Sequence, residues 1–200
     1  MEKKLTAEPI ASDRIRQLGG DIKDASTLSS FLLNTTFCRH LYSKDWDGWG
    51  LEELAADLRS KFDKRADQIA EIEALLKTKH KIPCGQDFWQ PILYTPLTKG
   101  TDDGMEFASF ADSTDLSEIY KVCGEGALTF VNIIYSYGYP DRYYVCLQDP
   151  VPENPTVFGT DRETFFQEIS NCSDLNTFLH GYCDEQEMSD LLDEIYDVTF

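Results

Sequence analysis

Residues 127–158 read ALTFVNIIYSYGYPDRYYVCLQDPVPENPTVF and form the most apolar and aromatic stretch of the chain. Its three apolar runs span 127–135, 143–147 and 156–158. β-Branched and aromatic residues dominate these runs, and such residues favour strands. Gly138 and Pro140 predict a turn after the first run, and the prolines of DPVPENP keep the second connector outside any hydrogen-bonded ladder. The stretch therefore predicts antiparallel strands at the centre of a sheet.

The composition is that of a folded, reduced protein. Of the 200 residues, 42% are hydrophobic and 12% aromatic, which is typical of a globular domain. No apolar run approaches the roughly 18 residues of a membrane span, and the first residues lack the apolar segment of a secretion signal. Six cysteines then indicate buried free thiols. We expect a cytoplasmic protein without membrane association.

The charge is strongly acidic. The chain has 36 acidic and 18 basic residues, a formal net charge of −18 and a pI near 4.4. Such a surface repels phosphate backbones and anionic lipids, so we expect no direct nucleic-acid binding. The charge favours a basic protein or a metal ion as partner, although solubility alone would also explain it. The oligomeric state is left open.

Residues 1–82 are predicted to form a helical N-terminal region. A short strand is expected at Ile15–Leu18, followed by a helix from Ser26 that Ser26 or Thr27 caps. Apolar residues then recur at three- and four-residue steps, which predicts an amphipathic helix from Leu51 to Lys79 with a break near Lys64.

Residues 83–200 are predicted to form an α+β region. Strands are expected at Ile92–Thr95, over MEFASFA (105–111) and over ETFFQEIS (163–170), and a short helix that Ser113 or Thr114 caps is expected to end at Gly124. Two C-terminal helices follow, the first capped by Asn171 or Ser173 and the second carrying an acidic face. The predicted fold is α+β, with N-terminal helices packed on a central, mostly antiparallel sheet of four to six strands, in one compact unit.

Few motifs point to catalysis or to metal binding. Around SKDWDGWGLEEL (43–54) the spacing imitates a calcium loop, but Leu54 occupies the position of the required bidentate glutamate. Three Cys/His pairs occur without any C-x-x-C: Cys38/His40, His80/Cys84 and His180/Cys183. No nucleophile elbow, Walker loop or dinucleotide loop is present. The sequence therefore predicts no catalytic residue, no metal site and no cofactor.

The order of elements in the C-terminal half resembles that of a known family. The segments RYYVCLQD, PVPENP, TVFGTDRE, TFFQEIS and SDLNTFLHGY follow one another as strand, loop, strand, strand and helix. In this order residues 105–183 resemble the SUKH superfamily of bacterial toxin-immunity proteins. The resemblance implies a cytoplasmic protein that neutralises a toxin.

A second segment, LYSKDWDGWGLEELAADL, looks like the loop and helix of barstar-type nuclease inhibitors, which block a basic active site with aromatic and acidic side chains. Together with the acidic stretch near residue 105, it supplies our predicted partner-binding residues. They are Asp45, Trp46, Asp47, Trp49, Glu52, Asp102, Asp103, Glu106, Asp112 and Asp115.

The leading hypothesis is a non-catalytic acidic protein that neutralises a basic partner, as an immunity protein or an inhibitor of a nuclease-like toxin. One alternative is a phage or mobile-element protein that mimics the charge of DNA, with the last helix and the segment TDDGMEFASFADSTDLSE (101–118) as candidate arrays of carboxylates. Another alternative is a small hydrolase that uses Asp or Glu with His40, His80 or His180.

Overall fold

The structure is a computed structural model that describes residues 3–44, 50–94, 105, 115–136, 140–164 and 166–199, without the side chains of 51–53, 55 and 195–199. In chain order the elements are α1 (Ser12–Gln17), β1 (Gly20–Ile22), α2 (Leu28–Asn34), β2 (Thr35–Phe37), β3 (Leu41–Ser43), α3 (Leu51–Lys61), α4 (Arg65–Lys79), β4 (Lys81–Ile82), β5 (Ile92–Tyr94), α5 (Ser117–Cys123), β6 (Phe130–Tyr135), β7 (Arg142–Cys146), β8 (Thr156–Thr160), β9 (Ser170–Asp174), α6 (Leu175–His180), β10 (Tyr182–Cys183) and α7 (Glu185–Thr199).

The chain divides into two units that interleave along the sequence. The first comprises Met1–Cys38 and Cys84–His180, and the second comprises Arg39–Pro83 and Gly181–Phe200. The predicted regions 1–82 and 83–200 were continuous segments. The structural division differs from them because the chain leaves the first unit, builds part of the second, and returns.

The first unit is built around a five-stranded antiparallel sheet in the order β5-β6-β7-β8-β9. The pairing sets Phe130 opposite Cys146, and Tyr144 opposite Phe158. The predicted α+β class and mostly antiparallel sheet are thereby confirmed, as are the three central strands. β5 confirms the edge strand expected near Ile92; Thr95 lies outside the described residues.

The two faces of this sheet are both buried. On one face Phe130, Tyr144 and Phe158 pack with Ile119 of α5 and with Phe166. On the other face α2 contacts β6 and α6 contacts β8, and Val131, Val145 and Val157 are completely buried there. Burial on both faces explains why the central strands read as continuous apolar runs instead of alternating ones.

The second unit joins the three-stranded sheet β10-β3-β4 to the helices α3, α4 and α7. Its core contains Tyr42, Leu58, Ile72, Leu76 and Met188. The predicted long amphipathic helix is interrupted at residues 62–64, as expected, and ends at Lys79. The predicted last helix is also confirmed, as α7.

Two predictions near the N-terminus need correction. The strand expected at Ile15–Leu18 is wrong, because Ala11, Ile15 and Leu18 lie one helical turn apart and are buried together on α1 and its end. The helix from Ser26 is shorter than expected, since it ends at Asn34 and the short strands β2 and β3 follow. Thr27 is its cap, in a capping box with Ser30.

Two predictions after the central strands also need correction. The strand over residues 163–170 is wrong, because its described residues up to 169 are turns and bends in which Phe166 adopts a positive φ of 53°. The strand lies at Ser170–Asp174 instead, and Asp174 caps α6 in place of Asn171 or Ser173. The expected strand at 105–111 lies outside the described residues except for the helical Met105.

Candidate functional site

Most of the predicted partner-binding residues lie outside the described part of the chain. Those outside it are Asp45, Trp46, Asp47, Trp49, Asp102, Asp103, Glu106 and Asp112. Glu52 belongs to α3, but its side chain is not described. Residues 45–49 of the calcium-like loop and the caps Ser113 and Thr114 also fall outside. Asp115 is therefore the predicted residue from which the site can be built.

Asp115 is exposed just before α5 and is held in place by three hydrogen bonds. Its backbone N–H donates to the carbonyl of Phe166 at 3.0 Å. Its carboxylate accepts the backbone N–H of Ser117 at 2.8 Å and the Ser117 hydroxyl. These bonds from Ser117 hold the pKa of Asp115 below its usual value, so the carboxylate is charged at neutral pH.

The loop that carries Phe166, and that Asp115 is hydrogen-bonded to, contains further carboxylates. Phe166 is buried, and its N–H donates to the hydroxyl of Thr160 at 3.0 Å, which anchors the loop to the end of β8. Asp161, Glu163 and Glu168 lie on the same loop. We call Asp115, Asp161, Glu163 and Glu168 the acidic patch.

The stretch 84–180, which carries the acidic patch, has few basic residues, and two of them are paired with carboxylates outside the patch. Residues 84–180 contain fifteen acidic and four basic side chains, whereas residues 39–83 contain nine of each. In the described part of 84–180, Lys121 pairs with Glu118 at 2.5 Å, and Arg162 pairs with Asp141 at 3.5 Å. The local excess of negative charge is therefore not neutralised by these two cations.

The acidic helix α7 is in a different situation. Four cations of the second unit form ion pairs with carboxylates of α7 or with Asp184, which directly precedes it. The pairs, at 2.6–3.3 Å, are Arg39–Asp184, Lys44–Glu187, Arg65–Asp193 and Lys77–Glu185. Much of this charge therefore stabilises the second unit itself. The exposed array that the DNA-mimic alternative expects on the last helix is largely paired with cations of the same unit.

Sequence reasoning missed a buried amide on the central strand β6. Asn132 is only 2% exposed, and among the described residues the polar group that its side chain meets is the hydroxyl of Tyr144, in a contact too poorly aligned for a full hydrogen bond. It is paired in register with Tyr144, whose pKa is raised to about 12 chiefly by burial. In the sequence, the buried amide shows only as a single polar residue, Asn132, within the apolar run FVNIIY.

A small open cleft of about 410 Å³ lies between the N-terminal segment and α1. Its charged lining is balanced, with Glu8 and Asp24 against Arg16 and Lys23. Ser12 also lines it, and the hydroxyl of this buried residue has no hydrogen-bond partner within the described residues. The balance of charge gives the cleft no preference for a cation or an anion.

The cysteines and histidines do not assemble into a metal centre in the described part of the chain, where no group of three or more potential ligands is found. All six cysteines are free, with Cys146 and Cys183 buried and Cys38 exposed. The ring Nδ1–H of His180 donates to the Asn176 carbonyl at 2.8 Å. None of the described helices has the length and apolarity to span a bilayer.

Comparison with known protein families, curated proteins and solved structures finds no match to this chain. The resemblance to the SUKH superfamily stays a prediction.

Proposed function

We propose that the chain is a non-catalytic, cytosolic acidic protein that binds and neutralises a basic protein partner, in the manner of an immunity protein or an inhibitor of a nuclease-like toxin. The observation that carries this proposal is the acidic patch, where a backbone hydrogen bond joins Asp115 to the carboxylate-bearing loop of Phe166, within a stretch, residues 84–180, that has fifteen acidic and four basic side chains. The SUKH-like order of elements also supports it.

The physical reason is electrostatic steering. Carboxylates of one sign attract a cationic surface over about one Debye length, roughly 8–10 Å at physiological salt, and raise the rate of encounter. Paired carboxylates, such as those of α7, contribute less because nearby cations cancel their field. A basic nuclease active site, which is shaped to bind phosphate, has the complementary charge.

The proposal is tested with the full-length protein and purified basic nuclease toxins from bacteria. We expect the protein to suppress DNA cleavage by one of them, and the association rate to fall at least about tenfold between roughly 50 and 500 mM salt. Unchanged cleavage by every toxin at saturating protein, or an association rate that salt does not alter, would contradict the proposal.

A further inference from the structure

The two edges of the five-stranded sheet differ in chemistry. At one edge lies β9, whose sequence SNCSD is polar. At the other edge lies β5, whose sequence ILY is apolar and which pairs with β6 alone among the described strands. Sheets usually protect their edges with polar or charged side chains, because an exposed apolar edge is a template for pairing with another chain. β9 has this protection and β5 lacks it.

The side chains of β5 are exposed on both faces of the strand. Ile92 is 49% and Leu93 is 53% exposed, although both are large aliphatic residues. Adjacent residues of a strand point to opposite faces, so an added strand would contact both. The two residues are held in register by the ladder, in which Ile92 lies opposite Asn132 and Leu93 lies opposite Val131. The exposed apolar surface therefore belongs to an ordered strand.

The backbone of β5 adds hydrogen-bonding groups to this edge. In an antiparallel sheet, alternate residues of a strand bond to one neighbour, and the residues between them direct their N–H and C=O groups to the opposite side. Since β5 pairs with β6 on one side, at least one of its three residues directs these groups away from β6. An edge of this kind accepts an extended segment as a further strand, with main-chain bonds providing affinity and side chains providing specificity.

The charge of the chain selects the segment that fits this edge. A second copy would bring its own net charge of −18, which opposes self-association. The stretch 84–180, which contains β5, has fifteen acidic and four basic side chains and so favours a cationic segment.

We propose that β5 is a docking edge for an extended segment of the basic partner, in which aliphatic residues alternate with lysine or arginine. The aliphatic residues cover the exposed side chains of β5, and the cationic residues meet the acidic surface. The inference rests on the proposed function for the existence of the partner, and it adds the place and the form of the contact.

The probe is a short peptide of alternating lysine and valine, acetylated and amidated, which is titrated into the isotope-labelled full-length protein and followed by amide chemical shifts. We expect saturable shifts that are largest at Ile92, Leu93 and their partners on β6, together with slower hydrogen exchange of the β5 amides. The same peptide with every backbone nitrogen methylated should bind at least about tenfold more weakly, because it has no N–H to donate. A peptide with glutamate in place of lysine should also lose at least about tenfold in affinity.

Two variants of equal charge give the matched control. Leu93→Gln should weaken the lysine–valine peptide several-fold, because it removes apolar contact from the edge. Val151→Gln, which changes an equally exposed aliphatic residue between β7 and β8, should leave the affinity unchanged.

The inference is overturned if the shifts spread over the acidic surface without a maximum at β5, or if the methylated peptide binds as tightly as the unmodified one. It is also overturned if sedimentation shows a dimer that Leu93→Gln dissociates, since a second copy would then cover the edge. The wild-type titrations decide the question even if Leu93→Gln fails to fold. They use no toxin, so a failure of docking at β5 is distinguishable from a failure to neutralise a nuclease.

Discussion

The ammonium of Lys77 lies 2.7 Å from the carboxylate of Glu185 and joins α4 to the last helix α7. The same ammonium is 2.7 Å from Glu73, so one cation separates two carboxylates. The hydrogen bonds that Lys77 donates to Glu185 and Glu73 raise the pKa of Lys77, which keeps it charged at any physiological pH.

Replacing Lys77 by Met should lower the free energy of unfolding by about 0.5–1 kcal/mol, the range of partly exposed ion pairs, because Glu73 and Glu185 lose their shared cation. Urea denaturation measures the change. Lys79→Met, an exposed lysine of the same helix, is the matched control and should have less effect. If both variants lower the free energy of unfolding equally, the ion pairs of Lys77 with Glu73 and Glu185 add no stability of their own.

Glu73 makes stability dependent on pH. Hydrogen bonds from Lys77 and then Ser189 hold the pKa of its carboxyl below the unfolded value. A depressed folded-state pKa means that the stabilisation is present above the unfolded pKa of about 4.3 and is lost as the pH falls through the folded pKa. We therefore expect Glu73→Gln to flatten the decline in the urea midpoint between about pH 5 and pH 2.

The control for this pH series is Glu71→Gln, which neutralises an exposed carboxylate on the same helix. It should leave the acid limb of the curve close to that of the wild type. If the urea midpoint varies with pH in the same way in both variants, the pH dependence of stability does not arise from Glu73.

Asp174 should be the capping residue of α6. Its carboxylate accepts the backbone N–H of Thr177 at 2.9 Å, the hydroxyl of Thr177 at 2.8 Å and the side-chain amide of Asn154 at 2.8 Å. Asp174→Ala is expected to lower the free energy of unfolding by about 1–2 kcal/mol. Ser173→Ala should cost less; a larger loss for Ser173 would restore the cap predicted from the sequence.

The amide of Asn132 should cost stability, because its contact with the Tyr144 hydroxyl leaves at least one buried N–H donor unsatisfied, and such a group costs about 1–3 kcal/mol. Asn132→Leu is expected to raise the thermal midpoint. Asn154→Leu is the contrast, since the Asn154 amide donates to Asp174 and accepts from the Asn176 backbone. If Asn132→Leu destabilises the protein as much as Asn154→Leu does, then the contact of Asn132 with Tyr144 contributes more than the unsatisfied amide costs.

Charge reversal should separate the acidic patch from general acidity. Glu163→Lys changes an exposed residue of the patch, and Asp190→Lys makes the same change of net charge on α7. With a basic partner in hand, we expect Glu163→Lys to slow association several-fold more than Asp190→Lys at low salt. Stopped-flow or surface-plasmon rates measure this, and equal slowing would mean that only total charge matters.

The candidate site was only partly predictable from the sequence. Asp115 is predictable because it belongs to a visibly acidic stretch, but the apolar pattern of residues 163–170 predicts a strand where the structure has the loop of Phe166. This loop is joined to Asp115 by a backbone hydrogen bond between residues far apart in the chain. Asn132 gave no signal because a single polar residue in an apolar run does not reveal whether its amide finds a partner.

The sequence by itself determined the central strands and the break between α3 and α4, and it narrowed the cap of α2 to Ser26 or Thr27, because apolar periodicity and turn or cap chemistry act over a few neighbouring residues. Only the tertiary structure decided that Ile15 and Leu18 belong to a helix, that two units interleave, and that the carboxylates of α7 meet cations from residues 39–83. Those outcomes depend on which distant segments bury one another's surfaces, and no local pattern encodes that choice.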